Sequence, residues 1–221
     1  MSDAIKSSWN KNAEEWVKII QNDGIPSRKF TNPAILEVIK ELKGNTIVDI
    51  GCGEGWLTRE LKKFGWKATG LDATEDLIKE ARKQSDQTFE VFTFEDIIQG
   101  EKLPNAPFDA AIFNFCLYLK DGLLELLSNT LKQLTSNGSL VIQTLHPYFL
   151  LQNDLAYKSQ WFSDSWKGLP GNFTDGHAWY ARTMEDWIKE LNKIEHFQFN
   201  IKEVLNDEEK PISLIIIIKK I

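Results

Sequence analysis

The stretch that decides the fold is Ile47–Leu61, which reads IVDIGCGEGWLTREL. An apolar run ends in Asp49 and Ile50, and three glycines then alternate with other residues before an amphipathic segment begins at Trp56. Glycine lets the backbone turn sharply and approach a ligand closely, and the free N–H groups at a helix start attract polar or negative groups. The stretch therefore predicts a strand, a turn and a helix, and the turn either binds a ligand or is only a tight connection.

The chain around this turn alternates between short apolar strands and amphipathic helices. Such alternation predicts an α/β fold with a mainly parallel sheet covered on both faces. At the end of the chain, two strands are joined by the short polar turn NDEEKP, so they should pair antiparallel at or near one edge. The predicted strands are 46–50, 67–72, 88–94, 108–115, 139–145, 197–205 and 211–221, and the predicted helices are 3–20, 33–44, 56–65, 74–84, 122–134 and 183–194.

The composition narrows the class of protein. The chain has 221 residues and a formal net charge of −6, which argues against a broad nucleic-acid-binding surface. Its two cysteines are too few for a disulfide framework or a structural zinc site, and no metal-ligand spacing is present. The sequence shows neither a secretory signal nor an apolar run long enough to span a bilayer. We expect one domain, residues 1–221, in a cytoplasmic monomer or homodimer that binds neither nucleic acid nor membrane.

The spacing of the glycines indicates which ligand the turn holds. A dinucleotide fingerprint would need a glycine where Trp56 stands, and the Gly-Lys-Ser/Thr ending of a P-loop is absent. Asp72 ends the second predicted strand roughly twenty residues after the turn, where a carboxylate binds ribose hydroxyls. Together these features favour an adenosine cofactor that is not held by a diphosphate.

The run VDIGCGEGW followed by GLDAT resembles the first two motifs of the class I S-adenosylmethionine-dependent methyltransferases. Asp49, Gly51, Gly53 and Gly55 match the family's acid and Gly-x-Gly-x-Gly. The resemblance covers roughly residues 34–146 and continues through the antiparallel pair at the end. It implies a Rossmann-like three-layer sandwich, a seven-stranded sheet of order 3-2-1-4-5-7-6 with strand 7 antiparallel, the cofactor S-adenosyl-L-methionine and the product S-adenosyl-L-homocysteine.

The resemblance also implies how the cofactor is bound. Backbone groups at Gly51 and Gly53 would approach its methionine part, and Asp72 would accept from the ribose hydroxyls. Cys52 is interpreted as a small side chain packed in the turn. The resemblance also places Asp49 at the acid of the first motif and Ala73 beside the adenine. It places Glu95 or Asp96 at the adenine amine, and Asn114 and Phe115 near the sulfonium and the reacting methyl.

Some of these residues keep an alternative interpretation. Arg28, in a predicted loop over residues 22–33, is a candidate to bind the cofactor's carboxylate, or it is a solvated loop arginine. One of Glu95 and Asp96 is expected to be only a helix-start acid. Residues 1–33 are predicted to form a helix and loop that cap the site.

Residues 147–181 have no sustained period and hold three of the eight tryptophans. A loop this long usually carries function, so we predict a lid; the alternative is a surface loop whose aromatic side chains pack on the core. His146 precedes it and is either a general base or a histidine bonded to a loop backbone. Tyr180 is the second catalytic candidate, and His177, Trp179 and Arg182 are predicted to bind the acceptor.

The sequence thus predicts an enzyme that moves a methyl group to a small-molecule acceptor by in-line displacement. This reaction needs alignment and exclusion of water, and it needs a base only when the acceptor must lose a proton. The alternative is a regulatory or scaffolding protein that binds the cofactor without turnover. An NAD-dependent oxidoreductase is disfavoured by the glycine spacing and the antiparallel tail.

Overall fold

The computed structural model describes residues 3–220, which form one α/β structure. Its nine strands and eight helices follow the predicted alternation closely up to residue 145. The elements are α1 Asp3–Gln21, α2 Arg28–Glu41, β1 Thr46–Ile50, α3 Trp56–Lys63, β2 Lys67–Asp72, α4 Glu75–Gln84, β3 Thr88–Val91, α5 Phe94–Ile98, β4 Phe108–Asn114, α6 Leu123–Lys132, β5 Leu134–Leu145, α7 Phe149–Gln152, β6 Gln160–Phe162, β7 Trp179–Ala181, α8 Met184–Leu191, β8 Phe197–Leu205 and β9 Pro211–Lys220.

Seven strands form one sheet of order β3-β2-β1-β4-β5-β9-β8. All neighbouring pairs are parallel except those of β9, which runs antiparallel to both β5 and β8. Since β6 and β7 lie outside this sheet, the order equals the predicted 3-2-1-4-5-7-6 with the seventh strand antiparallel, and the fold prediction is confirmed. Apolar side chains of α2 and α3 pack on one face of the sheet, and those of α5, α6 and α8 pack on the other.

The start of α2 differs from the prediction. The loop expected over 22–33 ends early, because the N–H groups of Phe30 and Thr31 bond to the carbonyl of Ser27 and begin the helix there. Pro33 therefore lies inside α2 rather than at its first position, and the helix ends at Glu41, before Gly44. Burial of one face of the helix on the sheet offsets the hydrogen bond that proline cannot make.

Strand β5 begins earlier than predicted. The sequence SNG (136–138) was expected to be a turn, but β5 starts at Leu134. Phe108 pairs with Leu134 and Ala110 pairs with Ser139, so one residue of β4 lies opposite four residues of β5 across an irregularity. The polar residues are accommodated as a bulge within the strand rather than as a break before it.

The lid, residues 147–181, is more ordered than predicted. It contains the short helix α7 and the antiparallel hairpin of β6 and β7. Its far part is bonded to α1: Asn12 Nδ2 donates to the Thr174 carbonyl at 2.7 Å, and the Thr174 N–H donates to Asn12 Oδ1 at 2.9 Å. Ser8 Oγ also donates to the Asp175 carbonyl at 2.6 Å. We call this set of bonds the α1 seam; it joins two segments that are far apart in sequence.

No helix within residues 3–220 has the length and apolar character needed to cross a membrane. No group of three metal-ligating side chains is assembled anywhere in that range either.

Candidate active site

A cavity of about 680 Å³ lies at the carboxyl ends of β1, β2, β4 and β5, beneath α1 and the lid. This volume is typical of sites for small molecules. The glycine turn, Asp72 and Arg28 line one part, which we call the glycine end; Phe149, Phe162 and residues 179–182 line the other, which we call the lid end. The predicted residues that line the cavity are Arg28, Asp49, Gly51, Cys52, Gly53, Asp72, Ala73, Asn114, Phe115, His146, Trp179, Tyr180 and Arg182.

The glycine turn requires its glycines for steric reasons. Gly51 has φ +77°, and a Cβ at this position would lie 2.6 Å from Cys116 Cβ. Gly55 has φ +82°, and its Cβ would lie 2.7 Å from the ring of Phe89. Both positions combine a left-handed backbone with no space, so only glycine fits. Cys52 packs with Phe89 in a small apolar cluster, as predicted for a side chain of the turn, and burial raises the pKa of its thiol.

Asp72 joins the glycine turn to the start of α4. Its Oδ2 accepts from the Gly53 N–H at 2.9 Å, and its Oδ1 accepts from the Thr74 N–H at 2.8 Å. Burial raises the pKa of this carboxyl, and the two backbone N–H groups oppose that rise. Each carboxylate oxygen has a second acceptor site, so Asp72 fits the predicted bonds to ribose hydroxyls while it holds the turn.

Asp49 lies beneath the turn and is only 1% exposed. Its Oδ2 accepts from Thr58 Oγ1 at 2.8 Å. Burial raises the pKa of Asp49 to about 7, and the neighbouring carboxylates Glu54 and Asp72 add to the rise. A carboxyl that is desolvated in this way gains its charge most readily when a cation is near, as the bound cofactor's sulfonium or ammonium would be.

Glu54 is a site residue that the predicted set left out. It is 1% exposed and accepts from Trp16 Nε1 at 3.2 Å. Arg28 lies 4.5 Å from the ring centroid of Trp56 and interacts electrostatically with Glu54. The position of Glu54 between two glycines of the turn is the sequence signal that could have identified it as a site residue, because a side chain there is held within the turn.

Asn114 and Phe115 lie between the two ends of the cavity. Ile50 pairs with Phe113 and Asn114 pairs with Gln143, so Asn114 stands at the sheet edge between the glycine turn and the lid base. Its Oδ1 is buried and has no hydrogen-bond partner within residues 3–220. Phe115 has φ +53°, a strained conformation for a side chain of its size. An unpaired buried oxygen and local strain together indicate a functional position.

The lid end has an aromatic wall. Trp179 stacks on Phe162 with centroids 4.9 Å apart, and Phe149 packs 5.5 Å from both rings. Tyr180 also lines this end, and its hydroxyl makes no hydrogen bond with any residue that the structure describes. The wall suits a planar or apolar molecule.

Arg182 is buried beside the loop that follows β4. Its Nη1 donates to the Leu119 carbonyl at 2.7 Å and its Nη2 donates to the Lys120 carbonyl at 2.6 Å. Asp186 lies 3.7 Å from Nε, and burial lowers the pKa of the guanidinium. Arg182 thus lines the cavity as predicted, but two of its donors clamp a loop, and only the remainder are available to a ligand.

His146 has both ring nitrogens occupied. Nδ1 accepts from the Tyr148 N–H at 3.0 Å, so in the neutral ring Nε2 carries the proton and donates to Glu203 at 2.8 Å. No lone pair is left to remove a proton from an acceptor. The geometry contradicts the general base and supports the alternative, a histidine bonded to the lid backbone.

Three predicted residues lie outside the cavity lining. Asp96 closes a capping box with Thr93 at the start of α5, and Glu95 is exposed in the same turn, so neither is placed to meet the adenine amine from the cavity. His177 is buried in the aromatic cluster between α1 and the lid, 4.9 Å from Tyr118. Its Nδ1 bonds the Ala178 carbonyl at 3.0 Å, and burial lowers its pKa. His177 therefore packs between α1 and the lid, and it is not placed to bind an acceptor in the cavity.

Comparisons with known proteins agree with this architecture. The profile of the family described as "Methyltransferase domain" matches residues 28–199. An uncharacterized protein of Haemophilus influenzae is 26% identical over 191 residues, which cover 78% of this chain and 74% of that protein. The ubiquinone biosynthesis O-methyltransferase of Hydrogenovibrio crunogenus is 42% identical over 57 residues, which is 24% of each chain.

A solved structure of similar fold is the Burkholderia thailandensis 1,6-didemethyltoxoflavin-N1-methyltransferase with bound 1,6-didemethyltoxoflavin and S-adenosylhomocysteine. It is 16% identical, with a TM-score of 0.68 over 98% of this chain and 87% of that one. The sheet and the glycine end define the class I S-adenosylmethionine-dependent methyltransferases, as the sequence predicted. The chain belongs to the methyltransferase-domain family.

Proposed function

We propose that this chain transfers the methyl group of S-adenosylmethionine to a small planar molecule bound at the lid end. The observation that carries the proposal is the single cavity, in which the glycine end and the aromatic wall are continuous. When bound, the cofactor supplies a methyl group activated by a positively charged sulfur.

The residues of the glycine end fit this cofactor. Asp72 has acceptor sites left for ribose hydroxyls, and Arg28 lines the cavity with its guanidinium stacked on Trp56. The carboxylates Asp49 and Glu54 favour the binding of a cation nearby. Backbone N–H groups of the turn complete a set of donors and acceptors suited to an amino acid head and a nucleoside.

The lid end supports a small acceptor rather than a macromolecule. Its wall is made of Phe149, Phe162 and Trp179, three aromatic side chains of residues 147–181 that line the cavity. Methyl transfer in such a place gains from alignment of the reacting atoms and from exclusion of water. The net charge of −6 also disfavours a nucleic-acid acceptor.

Isothermal titration with S-adenosylmethionine and S-adenosylhomocysteine tests the first half of the proposal. We expect both to bind, and no heat with either would refute it. Release of S-adenosylhomocysteine with a panel of planar small molecules tests the second half. Binding without release in the presence of any acceptor would favour the scaffolding alternative.

A further inference from the structure

We propose that the methyl acceptor is a nitrogen nucleophile with a hydrogen on it, an aromatic amine, and that Asn114 accepts a hydrogen bond from that N–H. This inference rests on the proposed function. Its two supports are the lack of an available base at the lid end and the unpaired oxygen of Asn114.

The groups at the lid end cannot act as a general base. His146 has no free ring lone pair, as described above. Tyr118 donates its hydroxyl proton to the Phe115 carbonyl at 2.7 Å, and burial raises its pKa. Arg182 is a cation held by two carbonyls, and Tyr180 offers a hydroxyl rather than a carboxylate or an imidazole.

The acids of the glycine end are too far from the acceptor position. Asp49 pairs with Ile112, two residues before Asn114, so it lies about 6.5 Å further back along the sheet. Bound cofactor would separate it from the lid end. Asp72 and Glu54 are bonded within the turn and the start of α4.

The other titratable groups in the lining are equally unsuited. The thiols of Cys52 and Cys116 are protonated at neutral pH because burial raises their pKa. Asp164 and Lys167 are exposed, and Asp164 Oδ1 already accepts from the Trp166 N–H at 2.9 Å, in a segment that packs against Trp9. Within residues 3–220, the cavity therefore offers no base for a hydroxyl acceptor.

A neutral nitrogen does not need such a base. Its lone pair forms the new N–CH₃ bond while the C–S bond breaks and that electron pair returns to sulfur. The nitrogen becomes a cation and then loses its proton to water. A hydroxyl oxygen is a weak nucleophile until a base removes its proton, so a pocket without a base favours nitrogen.

Asn114 supplies the second support. It lines the cavity at the edge between the glycine turn and the lid, and its Oδ1 is buried without a partner in the described chain. Rotation of the amide about its Cβ–Cγ bond presents this oxygen to a bound molecule. An oxygen of this kind needs a donor, and the N–H of the acceptor supplies one while its lone pair faces the methyl.

The test compares three probes: 1-aminonaphthalene, 1-naphthol, and N,N-dimethyl-1-aminonaphthalene, whose nitrogen carries no hydrogen. Methyl transfer is followed by mass spectrometry on wild type, Asn114→Leu and Asn114→Asp, and each variant is titrated with S-adenosylhomocysteine. We expect transfer to 1-aminonaphthalene, but not to 1-naphthol or to the dimethylated control. Asn114→Leu should lower transfer about tenfold or more with the affinity for S-adenosylhomocysteine within twofold of wild type, and Asn114→Asp, which keeps an acceptor oxygen, should restore part of the transfer to the amine that Asn114→Leu loses.

Each contrary result has a distinct meaning. Methylation of the naphthol but not the amine would overturn the nitrogen class, as would no transfer to 1-aminonaphthalene by a protein that binds S-adenosylhomocysteine. A tenfold loss of S-adenosylhomocysteine affinity in Asn114→Leu would assign the oxygen to the cofactor's ammonium and overturn its role toward the acceptor. If wild type binds no S-adenosylhomocysteine, the proposed function itself fails.

Discussion

Asp72→Ala should weaken cofactor binding and destabilise the fold, and the two effects can be separated. The carboxylate holds the N–H groups of Gly53 and Thr74 at 2.9 and 2.8 Å, and both lose their acceptor in the variant. Each amide left buried without an acceptor costs about 1–3 kcal/mol of unfolding free energy. Loss of charged hydrogen bonds to the ribose costs a further 1.5–3 kcal/mol of binding free energy, which is about ten- to a hundredfold in Kd.

A second aspartate provides a matched control. Asp109 Oδ2 accepts from the N–H groups of the consecutive residues Asn45 and Thr46 at 2.8 and 3.0 Å, so it also holds two backbone N–H groups. It lies at the opposite end of β4 from Asn114 and does not line the cavity. Asp109→Ala should therefore lower the free energy of unfolding but leave the Kd for S-adenosylhomocysteine within twofold of wild type.

The assays are urea unfolding and isothermal titration with S-adenosylhomocysteine, both on the folded variants. We expect Asp72→Ala to change both quantities and Asp109→Ala to change only the first. A folded Asp72→Ala variant with wild-type affinity would show that Asp72 serves only to hold the turn, and it would remove the ribose contact from the site.

Three further predictions concern the turn, the buried acid and the histidine. Gly51→Ala, whose Cβ would lie 2.6 Å from Cys116, should abolish cofactor binding and lower the melting temperature. Gly65 also has a positive φ but has open space around it, so the control Gly65→Ala should lower the free energy of unfolding by only about 1 kcal/mol and bind the cofactor normally. Burial raises the pKa of Asp49 from 3.8 to about 7, so between these pH values the folded chain holds a proton that the unfolded chain has released. The free energy of unfolding should therefore fall as the pH rises from about 4 to 7, and Asp49→Asn should flatten that part of the stability curve. An unchanged slope in the variant would contradict the burial effect. His146→Ala should lower the melting temperature but leave measurable methyl transfer in the folded variant; complete loss of transfer with unchanged stability and cofactor affinity would restore the general base.

The parallel sheet and the glycine end could be predicted because their signals are local. Strand lengths, helix periods and the spacing from Gly51 to Asp72 are all present in the sequence, and the topology follows from a few rules of connection. The start of α2 could not be predicted in this way. Pro33 is typical of the first position of a helix, and only the burial of α2 against the sheet allows it to lie inside the helix.

The roles of individual site residues were harder to predict because they depend on contacts between distant segments. For His146 the sequence left a general base and a backbone-bonded histidine as alternatives, and only the structure brings Glu203 of β8 to its ring. The lid showed no period because its order comes from bonds to α1, as between Asn12 and Thr174, rather than from its own sequence. Glu54 was overlooked because its burial requires Trp16 to pack over the turn.

The packing of α1 against the lid gives this protein an intrinsic fluorescence signal. Trp9 packs 5.2 Å from Trp16 and 4.6 Å from Trp166, so indoles of α1 and of the lid form one cluster, and all three line the cavity. A molecule that enters the glycine end changes the surroundings of these rings directly. The intrinsic fluorescence of the chain therefore reports occupancy of its own site, without a dye or a label.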